Sequence, residues 1–276
     1  MSVRTHFSQK TLDVLFDAIL ENDIADTNVV LPTVIPANFS EDQVTQCFNL
    51  CQQLWLEGIE SRQLVQLANI ILLKKDLSAS DKVAFKHIRA KYKHMGFAFI
   101  LYTPTHKRPF LYEATSTIMG EVQDAFRNGL KRKIVFLGAV MRCLVSSPFQ
   151  KIRKYLVEQA KLDTTQAFNQ MLKTEIGKIP AYLNEPSITP AQFHNLRKII
   201  SRHVSFFDTL RTLYPSEDHH KMSRFLSAIN GLMGRMHDDL ISQSVSGQLD
   251  YHKDQIVVPE TIRRLLTQLA QAYPKV

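Results

Sequence analysis

The chain has 276 residues, 45% hydrophobic and 22% charged, the balance of an ordinary soluble globular protein able to bury a substantial core as one large domain or two small ones. Its net charge of +8 hides an asymmetry: residues 1–62 hold three Lys or Arg against nine Asp or Glu, a net −6, so the remaining 214 residues carry +14. No apolar run approaches the roughly 18 residues of a membrane span, scarce glycine with long helical apolar spacing argues against a sheet-based fold, and an odd number of cysteines without paired spacing fits a reducing cytoplasm.

The opening Met1–His6 leads into an acidic amphipathic stretch, not a signal peptide. Ser8 caps a first helix to about Glu21, with Leu12, Leu15, Phe16 and Ile19 as its apolar stripe. Residues 32–38, with Pro32 and Pro36, read as a loop, and Ser40 with Gln43 has capping-box spacing ahead of a helix ending near Gly58. Cys47 and Cys51, one turn apart on it, are read as small buried side chains rather than a metal or redox pair. A helix over Leu64–Lys75, a loop around Ser78 and Ser80, and a long helix over 82–102 follow. Beyond a loop bracketed by Pro104 and Pro109, helices are expected through Met119–Asp124, over 130–145 and over 149–177, then a break from Pro180 to Pro190. The last helices span about 192–214, 220–242 and 259–272.

Two stretches recur. Phe85–His94 aligns with Phe193–Arg202 at an offset of 108, sharing Phe85/Phe193 and Arg89/Arg197. Ile118–Asp124 aligns with Leu232–Asp238 at an offset of 114, sharing Met119/Met233, Gly120/Gly234 and Asp124/Asp238. Loops between the matches absorb the six-residue difference at little cost. On the second long helix Phe193, Leu196, Ile200, Phe207 and Leu210 make a buried stripe, while His194, Arg197, Lys198, Ser201 and Arg202 share another face. The first copy presents Lys86, Arg89, Ala90, Lys93 and His94 there. Such like charges repel unless an acid or a bound anion compensates, and duplication makes a cradle for one extended anion. Lys131, Arg132, Lys133, Arg142, Lys151, Arg153, Lys154, Lys221, Arg224 and Arg235 are further candidates for its wall.

His194-Asn195-Leu196-Arg197 followed by Arg202, with Leu232–Asp238, resembles the two signatures of the CHAD family, the conserved histidine α-helical domain. The resemblance covers about residues 64–276, with a thinner run of arginines and Lys86 where the family has histidine. It implies an all-α fold of two helical-bundle repeats with pseudo-twofold symmetry, about 64–172 and 173–276, behind an acidic N-terminal helical extension, 1–63. It also implies a non-enzymatic module that binds inorganic polyphosphate through Lys86, Arg89, Lys93, His94, His194, Arg197, Lys198 and Arg202, with His194 joining as pH falls through the imidazole range. Polyphosphate needs Lys and Arg contacts and no aromatic platform, and Phe85, Tyr92, Phe97, Phe99, Phe206 and Phe207 fall near the apolar stripes.

Other classes compete. His219-His220 and His237-Asp238-Asp239 suggest a metal-dependent phosphohydrolase, but the first copy has Gln123-Asp124-Ala125, so only the aspartate recurs and it reads as orienting Arg89 or Arg197. A helical interaction module with an acidic protein partner is the main alternative, and nucleic-acid binding is the weaker one. No catalytic residue, metal or cofactor is expected.

Overall fold

Hydroxyl caps decide where half of the described helices begin. The computed structural model describes residues 5–74 and 76–274, the side chain of Asp23 excepted, and it is all-α. Ser8 accepts from the Thr11 amide ahead of α1 (Gln9–Leu20). The Ser40–Gln43 box closes in both directions, at 2.9 and 3.2 Å, ahead of α2 (Glu41–Gly58). α3 is Ser61–Lys74; Lys75, the expected end of that helix, and Met1–Arg4 lie outside the described residues. Ser78, expected in a loop, caps α4 (Ala79–Tyr102) through the Asp81 amide. α5 (Phe110–Arg127) and α6 (Lys131–Leu144) follow as expected.

The helix expected over 149–177 divides. α7 (Ser147–Glu158) takes Pro148 into its first turn, where the missing N–H costs nothing, and Thr164 restarts the chain as α8 (Thr165–Gly177). A short α9 (Ile179–Leu183) occupies the expected break. Thr189 and Gln192 form a capping box at α10 (Pro190–Leu213), Ser216 caps α11 (Glu217–Val245), and α12 (Glu260–Ala272) ends the fold. An isolated antiparallel bridge joins Ile188 to Ile256, with no strand among the described residues. No described helix is long and apolar enough to cross a membrane.

The chain forms two compact units, one of Phe48–Leu162 with the described residues up to Leu12, the other of Asp13–Cys47 with the chain from Asp163 on. The acidic stretch contributes residues to both units, and the later boundary between them falls at 162/163. In the first unit α6 packs on α3 and α5, and α4 on α5. Its aromatic core sets Trp55 5.4 Å from Tyr92, Tyr92 5.4 Å from Tyr112, and Phe99 5.1 Å from Tyr112. In the second unit α10 lies along α11, with Phe39 4.7 Å from Phe206 and Phe168 5.2 Å from Phe206.

Inside the second unit, acidic and polar residues of the N-terminal stretch pair with residues of α10 and α11. Glu21 reaches Arg211 at 3.4 Å and Arg224 at 3.5 Å. Asn22 donates to buried Asp208 at 2.6 Å and accepts from Asn230 at 2.9 Å. This segment runs directly over Gly231, where a Cβ would lie 2.9 Å from the Ile24 carbonyl. Burial pushes the Asp208 carboxyl up to about 6, against the opposing hydrogen bonds from Ser223 and Asn22 and the nearby Arg211 charge.

Candidate functional site

The eight basic side chains expected to bind an anion lie on α4 in the first unit and α10 in the second, and each helix sorts its own by rotation about the helix axis. On α4 Lys86 is exposed, and Arg89 and Lys93 are half-buried. Arg89 lies across Gly120 of α5, where a Cβ would come 3.4 Å from its Nη2 and 3.7 Å from its Nε. The Lys93 ammonium sits over the Phe97 ring, 5.6 Å from its centre.

His94 is a correction. It is buried, its Nε2 is 3.4 Å from the Cys51 Sγ, and burial pushes its pKa down to about 3. One residue past Lys93, the helix has turned about 100° toward the core, so His94 belongs to the packing face and not to the basic one.

On α10 the His194 ring stacks on His237 of α11, centroids 4.5 Å apart at 28°. His237 Nε2 lies 3.1 Å from the Tyr251 hydroxyl, and its Nδ1 is 3.8 Å from Asp238. Arg197 crosses Gly234 of α11, where a Cβ would meet its Nη2 at 3.0 Å. Lys198 is exposed, with Asn195 Oδ1 at 3.5 Å.

Arg202 is the second correction. Its Nε and Nη2 both donate to Glu175 of α8 at 2.5 Å, with the two side chains 12% and 5% exposed. From Ile199 to Leu210 α10 is buried at every position except Arg202, so the basic face ends about one turn earlier than the spacing predicts.

The duplicated sequence block thus has a local meaning in each unit. An arginine on one long helix runs over a glycine on the next, Arg89 over Gly120 and Arg197 over Gly234. At Gly234 a Cβ would press on the Arg197 guanidinium at 3.0 Å, whereas at Gly120 it would meet Arg89 in ordinary contact at 3.4 Å. Asp124 and Asp238 each stand four residues beyond the glycine, one turn along the same face.

The other wall candidates scatter. Lys131, Arg132 and Lys133 are exposed, with Lys133 on Glu121 at 2.5 Å. Arg142 donates to Asn69, Lys221 pairs with Glu217, Arg224 pairs with Glu21, and Arg153 is fully buried. Among the described residues no three His, Cys, Asp or Glu side chains are grouped to hold a metal ion. Cys47 and Cys51 are buried, as read, and Cys143 is exposed.

What the spacing missed are the partners. Glu175, His237 and Tyr251 meet residues 14 to 43 positions away in the chain, and no local period marks such a pairing. The comparisons with known proteins add no relative: no family model, curated protein or solved structure matches this chain.

Proposed function

We propose that the protein binds a phosphate-rich polyanion, inorganic polyphosphate above all, as a CHAD-like module. The observation that carries the reading is the recurrence, in each unit, of an arginine seated over a helix glycine with an exposed lysine on the same helix: Arg89 with Lys86, and Arg197 with Lys198. A guanidinium held in place offers a forked donor to phosphate oxygens at a reduced ordering cost, and the lysines add mobile charge. The +14 carried by residues 63–276 draws a polyanion to the basic residues of each unit. Corrected for burial, the contact set is Lys86, Arg89, Lys93, His194, Arg197 and Lys198. The cytoplasm, where both cysteines and polyphosphate are at home, is the compartment this reading assigns.

The test is titration of long-chain polyphosphate and of single-stranded DNA of equal charge, each across a salt series. Polyphosphate should bind tighter, and Lys86→Ala with Lys198→Ala, both exposed, should flatten its log–log salt slope by a little under about two units. Arg197→Ala should weaken it further. Equal binding of the DNA, or an unchanged slope in the folded double variant, overturns the reading.

A further inference from the structure

Arg153 is the largest fully buried side chain among the described residues, at 0% exposure. Its Nη1 donates to Thr115 Oγ1 at 3.2 Å and to the Leu144 carbonyl at 2.6 Å. Its Nε and Nη2 are buried with no acceptor beyond the neighbouring Tyr92 hydroxyl, and among the described residues no carboxylate pairs with it. A guanidinium cannot shed its proton, so the positive charge stays inside the first unit. Tyr92 beside it is no counter-ion: burial raises its pKa above the ordinary phenol value against the opposing charge and hydrogen bond of Arg153, and the ring stays neutral. A water could satisfy the N–H groups, yet it would leave the charge uncompensated.

This cation forms the floor of a pocket of about 260 Å³. Trp55, Leu56, Ile59, Leu64 and Tyr92 supply its apolar lining, and exposed Lys151 and Lys154 stand on its wall. The Trp55 Nε1 is a second buried donor with no acceptor on the same wall. Nε and Nη2 form one edge of the guanidinium, the edge that takes a carboxylate side-on with two parallel hydrogen bonds. Arg202 gives that same edge to Glu175.

We propose that Arg153 and this pocket form a binding site for a small organic carboxylate with a compact apolar body. The carboxylate seats on the Nε/Nη2 edge, Trp55 Nε1 adds a donor, and the apolar body packs on Leu56, Ile59 and Leu64. Lys151 and Lys154 raise the local concentration of anions at the entrance. An apolar pocket with a few convergent polar groups is the ordinary form of a small-molecule site. Arg153 is fully buried and Trp55 only 7% exposed, so the acid enters by a small opening of the pocket that keeps the indole N–H within reach. The site is separate from the polyanion surface and stands or falls independently of it.

Trp55 is the only tryptophan in the chain, so intrinsic fluorescence reads this pocket alone. The experiment titrates the whole protein with benzoate, with benzyl alcohol as the neutral analogue and with inorganic phosphate as an anion lacking the apolar body, at constant ionic strength. Benzoate should give a saturable change in Trp55 emission; benzyl alcohol should bind roughly thirtyfold more weakly or worse, the low end for losing one side of a buried charge pair, and phosphate, lacking the apolar body, should bind clearly more weakly than benzoate. Arg153→Met should abolish the benzoate response while keeping the helical circular dichroism. If that variant fails to fold, Lys151→Glu with Lys154→Glu, at exposed positions, should weaken benzoate binding several-fold. Four outcomes overturn the proposal: no saturable response to benzoate, benzyl alcohol binding as well as benzoate, phosphate binding as well as benzoate, or an unchanged benzoate affinity in the variants that fold.

Discussion

Removing Arg202 tests whether the structure has sorted the basic residues correctly. Arg202→Ala deletes both donors to Glu175 and leaves a carboxylate that is only 5% exposed against the core of the second unit. Breaking a buried pair by removing one partner costs about 3–5 kcal/mol, chiefly because the remaining charge is uncompensated. At about 2–4 °C per kcal/mol for a chain of this order of size, the melting temperature should fall by ~6–20 °C. Urea denaturation followed by circular dichroism at neutral pH, together with calorimetry, measures both quantities. The companion variant Arg202→Met with Glu175→Gln removes both charges and should recover most of the loss, since replacing a buried pair by neutral groups of similar volume is often close to neutral. Polyphosphate affinity of Arg202→Ala, measured well below its melting point, should match the wild type. A stability loss under about 1 kcal/mol, the range of exposed ion pairs, would refute the reasoning and return Arg202 to the surface.

Burial depresses folded His94 to about 3 against 6.5 for the ordinary imidazole, so the folded state binds fewer protons between those values. Its contribution is therefore complete above pH 6.5 and is lost as pH falls toward 3, by up to about 1.4 kcal/mol per unit. Asp208, raised to about 6 from 3.8, has the opposite slope in its own window, so the difference between wild type and His94→Gln in urea melts at several pH values is the diagnostic quantity, and an unchanged slope refutes the assignment. Gly231→Ala should cost ~1–3 kcal/mol, because its Cβ meets the Ile24 backbone at 2.9 Å. Gly120→Ala, facing only the Arg89 guanidinium at 3.4 Å, should gain up to about 1 kcal/mol from helix propensity; the reverse order of urea midpoints would contradict both. Gly234→Ala, 3.0 Å from the Arg197 tip, should lower polyphosphate affinity with little change in melting temperature, and unaltered binding would separate Arg197 from the site.

The helices themselves were legible because their signals are local. A hydroxyl at Ser8 or Ser40, an apolar recurrence such as Phe193–Leu196–Ile200, and prolines at 104, 109 and 215 act within a turn or two of where they stand. The duplicated Arg and Gly were legible too, and in each unit they meet. Arg153 carried an unused signal, since Phe149, Arg153 and Val157 recur at four-residue spacing on one face of α7, and Val157 is buried. Tertiary structure alone decided which cations face water. His94 went to the core, Arg202 to Glu175, and Glu21 to Arg211 and Arg224, because each choice depends on a neighbour brought from 27 to 203 residues away or on a half-turn of rotation against another helix. Charge counts and helical period cannot carry that information: a helix wheel has a basic side in sequence, and only packing determines how much of that side remains a surface.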